Sequence, residues 1–146
     1  MAITSAVCTS FKVELLKGVH NFTATTGNTF KIALYTSSAT LGASTTAFTT
    51  SNEITNTSGT AYTSGGATLT SVTPTTSGTT AVCDFGEISY TNATFTANGC
   101  MIYNDTATGD PACVVVAFAG DKQVTNGTFT IQFPTADDTN AIIRLA

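Results

Sequence analysis

With 146 residues, 42% of them hydrophobic and only 10% charged, the chain has the size and apolar content of one folded domain, and neither the low hydrophobicity nor the high charge of a disordered one. Its five cations, Lys12, Lys17, Lys31, Lys122 and Arg144, form no basic stripe, and the net charge is −4, which argues against a nucleic-acid partner. No apolar run reaches the roughly 18 residues that mark a membrane-spanning helix.

Threonine accounts for 33 residues, and its β-branched side chain suits a pleated surface. Residues 1–9 are small and uncharged and read as an N-terminal arm, followed by a single domain over 10–146. "SFKVELLKG" is the one helical stretch. Ser10 is placed to cap it, Lys17 lies in its last turn and Gly18 suits the left-handed position just beyond. Phe11 and Leu15 share a face at i, i+4. A helix of two turns cannot stand alone and must dock on a sheet or a neighbouring subunit.

Phe30, Ile32 and Leu34 alternate with Lys31, Ala33 and Tyr35 as a period-2 strand. Thr36–Ser44 reads as a polar connection and Phe48–Ile54 as a short strand. Gly59, Gly65 and Gly66 predict a bend or bulge between Tyr62 and Leu69, a strand starts at Ala67, and Pro74 is expected to end it before the turn "TPTTSGTT". "AVCDFGEISY" and "ATFTANGCMIYND" read as strands, the second ending in the apolar run Cys100–Tyr103. "TATGDP" is a turn. "ACVVVAFAG" is apolar on both faces and so reads as a central strand. "DKQVTNGT" reads as a loop, "FTIQFP" as a strand with Phe129, Ile131 and Phe133 inward, and "NAIIRLA" as the last strand. Such short strands with regular turn signals predict an all-β fold: a β-sandwich, jelly-roll or immunoglobulin-like, of about eight or nine strands with one short helix.

Candidate chemistry is sparse. His20 is the only histidine, and with no G-x-S-x-G elbow it reads as a residue just past the helix end. Asp105, Asp110 and Asp121 lie in oxygen-rich turns without the spacing of a calcium loop. Asp137 and Asp138 are adjacent, as in a loop rather than an acid–base pair. No catalytic, cofactor-binding or metal-binding residue is assigned. Cys8, Cys83, Cys100 and Cys113 form no C-x-x-C pair and read as free, buried thiols; Cys100 and Cys113 flank a predicted hairpin symmetrically, which leaves a disulfide between them open. N-x-S/T sequons occur at Asn21, Asn56, Asn92, Asn104 and Asn126. "MAITSAVCTS" lacks the character of a secretory signal, so these are expected to carry no glycan and the protein to be made in a cytoplasm.

The stretches "ELLKGVHNF", "TFKIALYTSSATL", "TTAFTTSNEI", "AYTSGGATL", "GDKQVTNGTFTIQFP" and "NAIIRLA" together resemble a group of small structural proteins of tailed bacteriophages. The likeness runs from about Phe11 to the C-terminus and carries no catalytic signature. It implies a virion component, not an enzyme, made in the host cytoplasm. The favoured role is a capsid decoration (cement) protein bound to the major capsid protein lattice. A tail or fibre component is the near alternative, and a carbohydrate-binding sandwich a further one. That last role favours exposed aromatic platforms, and the chain has no Trp and only scattered Tyr35, Tyr62, Tyr90 and Tyr103. Lattice symmetry favours a homo-oligomer, a trimer above all, with the arm and the Phe11/Leu15 face as expected contacts. A surface of hydroxyls suits packing, because hydroxyls form hydrogen bonds without the desolvation cost of charges.

Overall fold

The computed structural model describes residues 2–55 and 62–146. Gly59 and the sequon at Asn56 lie outside the described residues; the bend expected between Tyr62 and Leu69 is present, a turn with Gly65 and Gly66 at positive φ and Gly66 N–H bonded to Thr63 O. The fold is all-β and sandwich-like: two antiparallel sheets with one short helix. The elements are β1 (Ala6–Val7), α1 (Thr9–Leu16), β2 (Phe30–Tyr35), β3 (Ala67–Thr68), β4 (Ser71–Ser77), β5 (Thr80–Phe85), β6 (Ile88–Asn104), β7 (Ala112–Ile131) and β8 (Ile143–Leu145). The larger sheet has the order β1-β7-β6-β2-β3 and the smaller β4-β5-β8. No helix among the described residues is long and apolar enough to cross a membrane.

The spine of the large sheet is the β6–β7 hairpin, with strands of 17 and 20 residues. Its inner half, Cys100–Tyr103 against Ala112–Val116, is held between β2 on one side and β1 on the other and is nearly all buried. The expected loop "DKQVTNGT" is instead strand. Its turn signal is absorbed as register shifts: Asn126, and Ala119 and Gly120 just before the segment, take positive φ, as does Asn92 across the hairpin. Gly and Asn supply the same left-handed backbone to a bulge as to a turn, so a local reading could not separate the two. Pro74 likewise lies inside β4, at the register shift between Val72 and Thr75. β4 is an edge strand, where proline is tolerated. Phe48–Ile54 makes only the bridge Tyr35–Glu53 instead of a strand, with a second bridge, Ala47–Pro111, just before it.

α1 begins one residue before the expected start. Cys8, not Ser10, is at the N-cap and offers no side-chain capping bond. The other end matches the reading: Gly18 has φ +72°, its N–H bonds to Leu15 O, and Val19 N–H to Glu14 O. These two bonds form a Schellman closure. Phe11 is fully buried against His20 and Phe22, and Phe22 stacks on Phe30 at 4.2 Å. The Phe11 face proposed as an inter-subunit contact is therefore spent inside the chain.

The segment read as an arm lies along the sheet. β1 pairs with Val114–Val115, Ile3 bridges Leu41, and the Ile3 and Cys8 side chains are buried. Gly99 makes room for this. A Cβ there would lie 2.6 Å from Val116 O and 2.8 Å from Ile3 Cγ2, both closer than real contacts allow.

Candidate functional site

Three places gather side chains with chemical potential. The first surrounds His20. The ring is buried because the Schellman turn folds the chain back beneath α1. His20 Nε2 lies 2.7 Å from Glu14 Oε2, Nδ1 lies 3.0 Å from Asn104 Nδ2, and Cys113 Sγ is 3.9 Å from Nδ1. The order thiol, imidazole, carboxylate resembles a nucleophile with its base and orienting acid. The geometry does not make it one. Cys113 is fully buried, and burial pushes its thiol far up from the ordinary range. Asn104 is the nearer partner of Nδ1. Asn104 Oδ1 accepts from Thr106 N–H and Ala107 N–H, which turns Nδ2 toward His20 and Asn28 Oδ1. The cluster fastens α1, the 18–29 loop and the β6–β7 turn together.

The second place is Glu53, a buried carboxylate at the end of the connection after β2. It accepts hydrogen bonds from the Tyr62 hydroxyl at 2.6 Å, Gly65 N–H at 2.6 Å and the Ser64 hydroxyl at 3.0 Å. Burial raises the Tyr62 hydroxyl well above its ordinary range, and the bond to Glu53 adds to this. Three protein donors satisfy the charge in place of a cation. Glu53 is thereby a fastening for the Tyr62–Gly65 segment.

The third place is a groove of about 510 Å³ between α1 and β8, lined by Val7, Phe11, Lys12, Leu15, Leu16, Ile143, Arg144 and Leu145. Leu15, Ile143 and Leu145 are shared with an adjoining hollow of about 250 Å³ that runs on to Phe22, Pro74 and Val82. Leu16 is 91% exposed and Leu145 58%. The other large apolar side chains left exposed among the described residues are Val13, Val19 and Val72. All five lie on α1, the turn after it, or the small sheet; none lies on the large sheet. β8 is an edge strand, so its side away from β5 has no strand beside it among the described residues. Lys12 and Arg144 give the groove a basic margin in a chain of net charge −4.

The remaining candidates are dispersed. Asp105 pairs with Lys31 at 3.3 Å, and Asp121 accepts from Asn98 at 2.9 Å. Asp137 accepts from the Asn140 side chain and from Asn140 N–H and Thr139 N–H, bonds that hold its carboxyl below the usual range; Asp138 instead takes the Thr139 hydroxyl. The two adjacent carboxylates thus shape one turn. Among the described residues, no three His, Cys, Asp or Glu side chains come together as metal ligands. The four cysteines are free. Cys100 stands opposite Val116, not Cys113: Asn104 N–H bonds Pro111 O, so the turn is centred one residue later than expected, and the register shift at Ile102/Tyr103 adds one more position. All four tyrosines are buried, so none offers a face to a sugar.

Comparison with known proteins yields no match to a family model, a curated protein or a solved structure.

Proposed function

We propose that this protein is a structural component of a tailed-bacteriophage virion, acting as a decoration protein that binds the major capsid protein lattice and stabilises the head. The observation that carries this reading is the groove between α1 and β8. Contiguous exposed apolar surface on a folded domain marks a place where another molecule sits. Here Leu16 and Leu145, the two most exposed large apolar side chains among the described residues, both line it. Lys12 and Arg144 at its margin suit an apolar segment flanked by acidic residues on the shell. The rest of the surface is rich in hydroxyls, which pack against a lattice at little desolvation cost. The role asks for binding and no chemistry, in keeping with a His20–Cys113 cluster closed to solvent. A cyclic homo-oligomer, a trimer at local three-fold positions, matches the symmetry of such a shell.

Imaging of virions carrying a labelled copy of the protein tests the assignment. Label distributed over the head is expected; label confined to the tail or fibres would overturn the decoration role in favour of a tail component.

A further inference from the structure

β1 runs antiparallel to β7 with Ala6 opposite Val115 and Val7 opposite Val114. The next step of that register sets Cys8 opposite Cys113, and Cys8 N–H donates to Cys113 O at 2.9 Å. Opposed residues of an antiparallel pair project to the same face, with Cα atoms about 4.5–5.5 Å apart. That separation falls inside the roughly 4.4–6.8 Å that a disulfide spans. Both thiols are free and fully buried. Cys8 is the N-cap of α1, and Cys113 lies on the central strand.

We propose that Cys8 and Cys113 form a latent cross-strand disulfide, closed by a peroxide-class oxidant, that fixes the N-terminal strand and the base of α1 to β7. The sulfur of Cys113 attacks one peroxide oxygen. The O–O bond breaks, the sulfur becomes a sulfenic acid and one water leaves. The sulfur of Cys8 then attacks the sulfenic sulfur and a second water leaves. Two thiols and one hydrogen peroxide give one disulfide and two waters. The sulfurs lose two electrons in all, and the peroxide gains them.

Access comes through β1. It is a two-residue edge strand paired within the sheet to β7 alone, with Thr4 and Thr9 N–H bonded to the 41–43 connection, so it opens locally at lower cost than the β6–β7 core. Burial raises both thiols, Cys8 to about 11, which slows oxidation of the closed form. Closing the bond would pin α1, whose Leu15 and Leu16 form one wall of the groove.

The test exposes the full-length native protein to excess hydrogen peroxide, alkylates it in denaturant without reduction, and maps the digest by mass spectrometry. A linked Cys8–Cys113 peptide pair is expected, with a melting temperature that rises on oxidation and returns to the parent value on reduction. A link to Cys83 or Cys100 instead would overturn the proposal, as would recovery of Cys8 and Cys113 both as free thiols or as separate oxidised species. The mapping needs only the parent chain, so it stands even if a Cys8→Ser variant folds poorly. Where that variant does fold, it must lose both the link and the melting shift.

Discussion

Asn104 shows how much one side chain can hold. Its amide meets His20, Asn28 and two backbone N–H groups from inside the protein. Asn104→Leu keeps the volume roughly but removes every one of those bonds. Leaving buried polar groups unpaired costs about 1–3 kcal/mol each, so a loss of about 3 kcal/mol is expected. Urea denaturation measures it, as a lower midpoint at unchanged slope. A midpoint equal to the parent's would show that the network carries no stability. Gly99→Ala is expected to cost about 1–3 kcal/mol through its clash with Val116 O and Ile3, read in the same way. At this scale the sequence was legible only where the cause was local. Gly18 could be placed as a helix closure from its neighbours alone. The surroundings of His20 could not, because its partners Asn104 and Cys113 lie 84 and 93 positions away.

The β6–β7 hairpin combines two stabilities in one element. Its inner half lies between two neighbouring strands, whereas the outer half of β7, from Phe118 on, has a partner on one side only among the described residues. Amides of Cys100–Tyr103 and Val114–Val116 are expected to exchange only on global unfolding. Those of Gln123–Phe129 should exchange at least about tenfold faster through local opening. Hydrogen-exchange mass spectrometry reads the difference, and uniform protection along β7 would contradict it. Val115→Asp buries an unpaired charge in the inner half and is expected to cost more than about 3 kcal/mol, enough to lower the melting temperature steeply. The inner half was legible as an apolar run on both faces, and "TATGDP" as its turn. The outer half was not. Its Gly and Asn residues signal a chain reversal, and only pairing with β6 turns that signal into bulges.

The whole molecule is a two-sheet β fold with an apolar groove where α1 meets β8. Its class was legible from threonine content and strand spacing. The groove was not, because it forms where α1, near one end of the sequence, meets β8 near the other. Of the Phe11/Leu15 face expected to make contacts, both residues line the groove. Phe11 is buried in the core, and Leu16, one residue round the helix, meets solvent. On the proposed function, this groove is the attachment surface. Leu16→Glu with Leu145→Glu tests it most directly, since both side chains are exposed and should leave the melting temperature within a few degrees of the parent. Burial of one leucine is worth about 1.5 kcal/mol or more, and about 1.4 kcal/mol is a factor of ten in affinity. In co-sedimentation with capsids stripped of this protein, the parent should bind saturably and the double variant at least about tenfold more weakly. Equal binding by the folded double variant would contradict the claim.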